Sequence, residues 1–220
     1  MKLPNLEDSL VLGSLVLVMA GITTGAVLAA PHAYGITAFI VIGILFLGWV
    51  LTRSPRLSWL LLFGLVAGVL ELWSDWLHVE YLGTLVYTDY FGVPLLASPF
   101  YMPVGWWLTS VQFGYITLRL SEHWSKWKTV GVVTLLGMSL PPWYEEFAAP
   151  ARAWYYNPAG VMLSNTPLWI IFTYGGCMFG IAVMTLLCYR PGEWRRAVVG
   201  GFFTAACFML SGVFWFTVFG

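Results

Sequence analysis

Apolar residues run through this chain in long blocks that polar clusters interrupt at regular intervals. Leu10–Ala30 and Ile36–Leu51 already have the length of membrane-crossing helices, about 20 residues. Continuing along the chain, the pattern predicts seven spans: 9–30, 34–52, 58–78, 99–120, 128–147, 167–189 and 197–219. The interruptions fall into two kinds. "TRSPRLS" (52–58), "RLSEHWSKWK" (119–128) and "YRPGEWRR" (189–196) are short and basic. Segments 79–98 and 148–166 are longer and rich in aromatic residues, glycine and proline.

In this topology Lys2, Arg53, Arg56, Arg119, Lys126, Lys128, Arg190, Arg195 and Arg196 share one side, and Arg152 alone lies on the other. Excess Lys and Arg mark the cytoplasmic face. The expectation is an all-α polytopic membrane protein, N-terminus inside and C-terminus outside, in a bacterial-type plasma membrane. The first apolar run reads as a retained helix, because no small-residue cleavage site precedes a polar mature domain. Glu71, Asp75, Glu80, Asp89, Glu145 and Glu146 then all belong to the outer half.

A shift of 68 residues lays "YTDYFGVPLLASPFY" (87–101) on "YYNPAGVMLSNTPLW" (155–169). Tyr87 meets Tyr155, Gly92 meets Gly160, Val93 meets Val161, Leu95 meets Leu163 and Pro99 meets Pro167; Asp89 falls on Asn157 and His78 on Glu146. The chain therefore reads as one integral-membrane domain, 1–220, holding two repeat units, 58–120 and 128–189. Each runs helix, outer loop, helix in the same sense, as in repeats related by an axis along the membrane normal.

Composition agrees with this picture. Charged residues make up 9% and hydrophobic residues 60% of the chain, and the mean hydropathy is +0.81. Soluble domains carry roughly 25% charged residues. The net charge of zero gives no reason to expect a nucleic-acid partner. Cys177, Cys188 and Cys207 lie in apolar runs without metal-site spacing and read as small buried residues.

The chemistry concentrates in two places. Glu71, Asp75 and His78 are spaced i, i+4, i+7 and share one helix face. Glu71 falls about 13 residues into its span, roughly 20 Å deep at 1.5 Å per residue. A carboxylate facing lipid there costs several kcal/mol, so it should face the bundle interior and have a partner. The second cluster is "PPWYEEFAAPARAWYYNP" (141–158), where Pro141 and Pro142 break or kink the fifth span just before Glu145 and Glu146. Adjacent helical residues point about 100° apart, so one glutamate is expected to face Glu71 and the other to pair with Arg152 or meet solvent.

Aromatic residues crowd the same half, among them Trp76, Tyr87, Tyr101, Trp106, Trp143, Trp154, Tyr155 and Trp169. Part of this is the aromatic belt of any membrane protein. Acids interleaved with rings go beyond a belt. A carboxylic acid in a dry pocket keeps its proton and can donate it, and ring faces stabilise the cation formed, by about 2 kcal/mol or more where desolvated.

At these residues the chain resembles a known group. "E…GTLVYTDYFGVPLL…P…W" is similar to the first half of the membrane carotenoid hydratases (the bisanhydrobacterioruberin hydratase-like family), and "EEFAAPARAWYYNPAGVMLSNTPLW" to the second half. "P-x-Y-E-E" at Pro142–Glu146 resembles the "P-x-E-E" acid motif of heterodimer-type lycopene cyclases. The resemblance covers about 68–175, and "GTLVYTDYFG" lacks the proline of the hydratase run "G-x-P-F-G-x-Y". It implies a membrane terpenoid-modifying enzyme in which Glu71 and Glu145 or Glu146 are the acid and base and Asp75 supports one of them.

Three readings stay open. The first is protonation of a C=C bond in a carotenoid or prenyl-chain lipid, ending in cyclisation or hydration. Glu71, Asp75, Glu145 and Glu146 would be catalytic; Trp76, His78, Tyr87, Tyr101, Trp106, Trp143, Trp154, Tyr155, Asn165 and Trp169 would hold the substrate; neither cofactor nor metal is called for. The second is a metal-dependent oxidoreductase or prenyltransferase using Glu71, Asp75, His78 and Glu146 as ligands, although the chain has only three histidines. The third is a non-catalytic pigment- or lipid-binding subunit of a membrane complex. Oligomeric state is not legible.

Overall fold

The computed structural model describes residues 6–88, 92–158 and 160–220. Lys2, Asp89, Tyr90 and Phe91, which entered the reading above, lie outside the described residues.

Eight α-helices make up most of the described chain: α1 (Leu6–Val27), α2 (His32–Thr52), α3 (Pro55–Trp76), α4 (Met102–Ser121), α5 (Lys126–Ser139), α6 (Pro141–Ala148), α7 (Leu168–Cys188) and α8 (Trp194–Phe219). A π-helical turn, Leu77–Tyr81, continues α3 without a break. Among the described residues five helices are long and apolar enough to cross a membrane: α1, α2, α3 with its π turn, α7 and α8. This is an integral membrane protein. α4 is 20 residues long but less apolar. The expected fifth span is two helices, because α5 stops at Ser139 and α6 starts at Pro141. Pro141 and Pro142 have no N–H to donate to the preceding turn, so the ladder restarts there.

Local chemistry sets the start of α3. The Ser54 hydroxyl accepts from the Leu57 N–H at 3.1 Å, and Pro55 opens the helix where its missing N–H costs nothing. The helix then packs most extensively against α4 and α8. Gly64 and Gly68 make the α4 crossing close: a Cβ would lie 2.7 Å from the Trp107 carbonyl oxygen at Gly64 and 2.3 Å from that of Pro103 at Gly68. This is the small-xxx-small packing by which membrane helices approach without a hydrophobic driving force. Trp107 locks the crossing through an Nε1–H bond to the Leu61 carbonyl at 2.7 Å.

At the basic end, Arg119 pairs with both oxygens of Asp8, at 2.8 and 3.0 Å, and also with Glu122, which accepts from Arg56 at 3.0 Å. Helices α1, α3 and α4 are tied together there.

The opposite end holds the two long connections. They carry short strands that the apolar pattern did not anticipate: β1 (Leu85–Tyr87), β2 (Trp154–Tyr156), β3 (Met162–Leu163) and β4 (Thr166–Pro167). β1 and β2 pair antiparallel with Leu85 opposite Tyr156, Val86 opposite Tyr155 and Tyr87 opposite Trp154. β3 and β4 form a tight hairpin. Asn157 fastens the first pair, its side-chain amide donating to the Gly83 carbonyl at 2.7 Å.

Candidate functional site: an acid chamber beneath a two-stranded ladder

Helix α3 presents the expected stripe. Glu71, Asp75 and His78 are buried at 2%, 6% and 5% exposure, whereas Glu80, one position outside the stripe's spacing, is exposed. Asp75 is held by two hydroxyls. Tyr87 donates to its Oδ2 at 2.6 Å and Ser98 to the same oxygen at 2.8 Å. Glu71 lies one turn deeper, against Asp75, and neither of its oxygens has a partner in hydrogen-bond geometry. His78 sits in the π turn, a distortion that often marks functional positions. Its Nδ1 donates to the Ser74 carbonyl at 2.8 Å and its ring stacks on Trp169, centroids 4.9 Å apart and planes within 6°. Nε2 is left buried without a partner.

Helix α6 decides between the adjacent glutamates. Glu145 is 2% exposed and turned inward; Trp154 donates its Nε1–H to Oε2 at 2.5 Å and Tyr174 its hydroxyl to Oε1 at 3.1 Å. Glu146 turns to the β3–β4 hairpin instead of the interior. It accepts from the Ser164 hydroxyl at 2.8 Å, the Asn165 backbone N–H at 2.8 Å and the Asn165 side-chain amide at 3.2 Å. Those bonds make Glu146 a clamp on the hairpin, and Asn165 its exposed partner, so neither belongs to the buried constellation. Arg152, the expected partner, is exposed.

The β1–β2 ladder brings the two halves together. Tyr87 and Trp154 are opposite one another in register; Tyr87 reaches back to Asp75 and Trp154 to Glu145. Burial, with Asp75 beside it, pushes the Tyr87 hydroxyl well above the usual tyrosine range, so it stays a donor. Tyr156, the next inward residue of β2, is raised likewise by burial and then by Glu145.

Asp75, His78 and Glu145 consequently line a single small cavity of about 30 Å³, walled by Tyr87, Trp106, Trp154, Tyr156, Trp169 and Tyr174. Two further spaces share these walls. An apolar cleft of about 90 Å³ lies between α1, α2, α4 and α7, with Tyr34, Tyr101, Trp106 and Trp154 on its sides. A vestibule of about 230 Å³ lies beneath the long connections and is lined by Glu145, Trp154, Tyr155, Ser164 and Asn165. Glu71 opens instead onto a void of about 10 Å³ behind Trp106.

Several expected ring residues fall elsewhere. Trp76 and Trp143 are 38% and 39% exposed and pair with Trp73 and Phe147 on the outside of their helices. Trp76 follows Asp75 directly and so points about 100° away from the acid stripe. Tyr155 is 45% exposed on the outward face of β2 and reaches only the vestibule. Tyr101 is buried on the apolar cleft. Ser98, Tyr156 and Tyr174 were not anticipated, although Ser98 falls on the equally buried Thr166 in the 68-residue shift. Among the described residues no group of three or more His, Cys, Asp or Glu side chains could hold a metal ion.

The family model described as Domain of unknown function (DUF6989) matches residues 72–219. No curated protein and no solved structure matches the chain. The chain belongs to the DUF6989 family.

Proposed function

We propose that this DUF6989 member is an integral-membrane enzyme that protonates a C=C bond of a terpenoid, carotenoid or other prenyl-chain lipid, leading to cyclisation or hydration. One observation carries the reading: Asp75 from α3 and Glu145 from α6 line one ring-walled cavity adjoining an apolar cleft. Each acid is held there by neutral donors.

The donor pattern divides the roles. Both hydroxyl donors on Asp75 take Oδ2, leaving Oδ1 to carry a proton as a carboxylic acid does. Glu145 receives a donor on each oxygen, which suits a carboxylate that accepts the proton at the end of the reaction. Glu71, without donors, lies behind Asp75 as a second acid of the same stripe. The alkene enters along the apolar cleft, its π bond takes the Asp75 proton, and the resulting tertiary cation rests against Trp106 and Trp154. Loss of a neighbouring proton to Glu145 closes the cyclisation; attack by water, whose proton goes to Glu145, closes the hydration.

The same proposal includes seven spans, with α4 as the fourth and α5 with α6 as the fifth. Twenty helical residues reach about 30 Å, the hydrocarbon thickness. The ion pairs joining Arg56, Arg119, Asp8 and Glu122 support placing the basic ends on one, cytoplasmic, side. The acid chamber would then lie in the non-cytoplasmic half. A two-fold repeat is supported by β1 and β2: the 68-residue shift nearly equates these strands, and they pair antiparallel, as elements around a two-fold axis do.

The test is expression in cells that accumulate acyclic carotenoids or prenylated quinones, with product masses read by mass spectrometry. A gain of one water means hydration; unchanged mass at a new retention time means cyclisation. Glu71→Gln keeps size and removes acidity, so turnover should fall by about 100-fold or more, the scale of a lost general-acid contribution, at unchanged expression. Near-wild-type turnover in that variant would remove Glu71 from the mechanism. A coloured lipid that copurifies but is never converted would favour a pigment- or lipid-binding subunit.

A further inference from the structure

The chamber carries buried polar groups that are incompletely satisfied. His78 Nε2 lines it at 5% residue exposure with no hydrogen-bond partner. Its volume is about 30 Å³, and a water needs roughly 10–15 Å³ in this measure together with two to four polar partners. Asp75, His78 and Glu145 supply those partners. Among the described residues the other titratable groups facing it are Tyr87 from β1, Tyr156 from β2 and Tyr174 from α7, and no lysine or arginine lines it. Among the described residues Glu145 is the one carboxyl on both the chamber and the outer vestibule, and Asp75 lies on the chamber alone.

We propose that the chamber holds two bridging waters which, with Glu145 at the outer end and Asp75 at the inner end, form a proton path from the outer vestibule to Asp75. In each transfer an O–H bond forms on the acceptor oxygen as the donor's O–H bond breaks. The sequence is vestibule water to Glu145, Glu145 to chamber water and chamber water to Asp75 Oδ1. The net change is one proton moved inward with no oxidant or counter-ion required. His78 Nε2 accepts a hydrogen bond from the bridging water and orients it, and the Trp169 stack keeps the imidazole from turning. The role as recharging route for the catalytic acid rests on the reaction proposed above; the path itself is measurable without any substrate.

The experiment follows the carboxylic-acid C=O stretch of the purified full-length protein in lipid nanodiscs by infrared spectroscopy after transfer into D2O. Glu71→Gln and Asp75→Asn assign the band. In the unsubstituted protein the band shifts promptly, because chamber water exchanges with the vestibule. Glu145→Gln, which cannot relay a proton, slows the shift by about tenfold or more, since exchange then waits for local opening. Ile170→Phe, which fills the chamber from α7, slows it independently should the first variant misfold. Glu146→Gln, at the hairpin, leaves the rate unchanged. Prompt exchange in both Glu145→Gln and Ile170→Phe would overturn the path, as would the absence of a carboxylic-acid band assignable to Asp75. Slowed exchange without any product from isoprenoid precursors would keep the path and refute the reaction.

Discussion

Gly212 on α8 offers a sharp test of how rigidly the site is held. A Cβ placed there would lie 2.8 Å from His78 Cε1 and 3.2 Å from Nε2. The imidazole has no easy retreat. Its Nδ1 is bonded to the Ser74 carbonyl at 2.8 Å and its face is stacked on Trp169 at 4.9 Å. Overpacking of a closed site costs about 1–3 kcal/mol. Gly131 on α5 supplies the control, because nothing lies within 4 Å of a Cβ added there. Both substitutions to alanine gain the same helix-propensity benefit, about 1 kcal/mol, so their difference isolates the clash. At about 2–4 °C per kcal/mol for a chain of this size, Gly212→Ala should melt about 2–12 °C below Gly131→Ala in the same detergent. Truncating the ring should relieve the clash: in a double-mutant cycle, Gly212→Ala with His78→Ala should show a favourable coupling of about 0.5–3 kcal/mol. Equal midpoints for the two alanine variants, with no coupling to His78, would mean that the imidazole is free to move and that the chamber is not pre-formed.

Two more outcomes are expected. Glu146→Ala should release the 163–166 hairpin, which it holds by three hydrogen bonds, and hydrogen–deuterium exchange at Asn165 should accelerate markedly while any turnover stays within about threefold of wild type; a turnover loss like that of Glu71→Gln would return Glu146 to the chemistry. With Cys177, Cys188 and Cys207 replaced by alanine, a membrane-impermeant thiol reagent should label a cysteine introduced at exposed Gly192 from the cytoplasmic side and one at exposed Leu163 from the other; labelling of both from one side would refute the proposed orientation.

The helical parts of the site were legible because helix periodicity is local. The i, i+4, i+7 spacing alone placed Glu71, Asp75 and His78 on one buried face, and the same arithmetic, applied one residue further, excludes Trp76. The double proline told where the expected fifth span breaks into α5 and α6. What stayed hidden depends on strand pairing between segments some 70 residues apart. Nothing in "LVY" or "WYY" announces that Tyr87 will stand opposite Trp154. Once β2 is known to be extended, the alternation of side chains explains why Trp154 and Tyr156 turn inward and Tyr155 outward. The choice between Glu145 and Glu146 likewise rests on a hairpin whose donors, Ser164 and Asn165, lie 18 and 19 residues downstream. Tyr174 was camouflaged as one more aromatic residue in an apolar span.

The way the buried acids are satisfied bears on what the site can do. Charges taken out of water are usually compensated by an opposite charge, and losing one partner of such a pair is costly. Here the compensation is neutral: Tyr87 and Ser98 on Asp75, Trp154 and Tyr174 on Glu145. Arg152, an arginine at this end of the bundle, stays on the surface. A carboxyl group held by hydroxyl and indole donors can gain or lose its proton without stranding a buried cation, because each donor can still bond to a carbonyl oxygen. An arginine clamp would fix the carboxylate form permanently. The four donors come from β1, the loop before α4, β2 and α7, so the ladder that joins the two long connections also sets the spacing between the acids. Breaking the ladder should therefore uncouple Asp75 from Glu145 before it unfolds the helices, and a site that depends on both acids should lose its chemistry while the bundle stays intact.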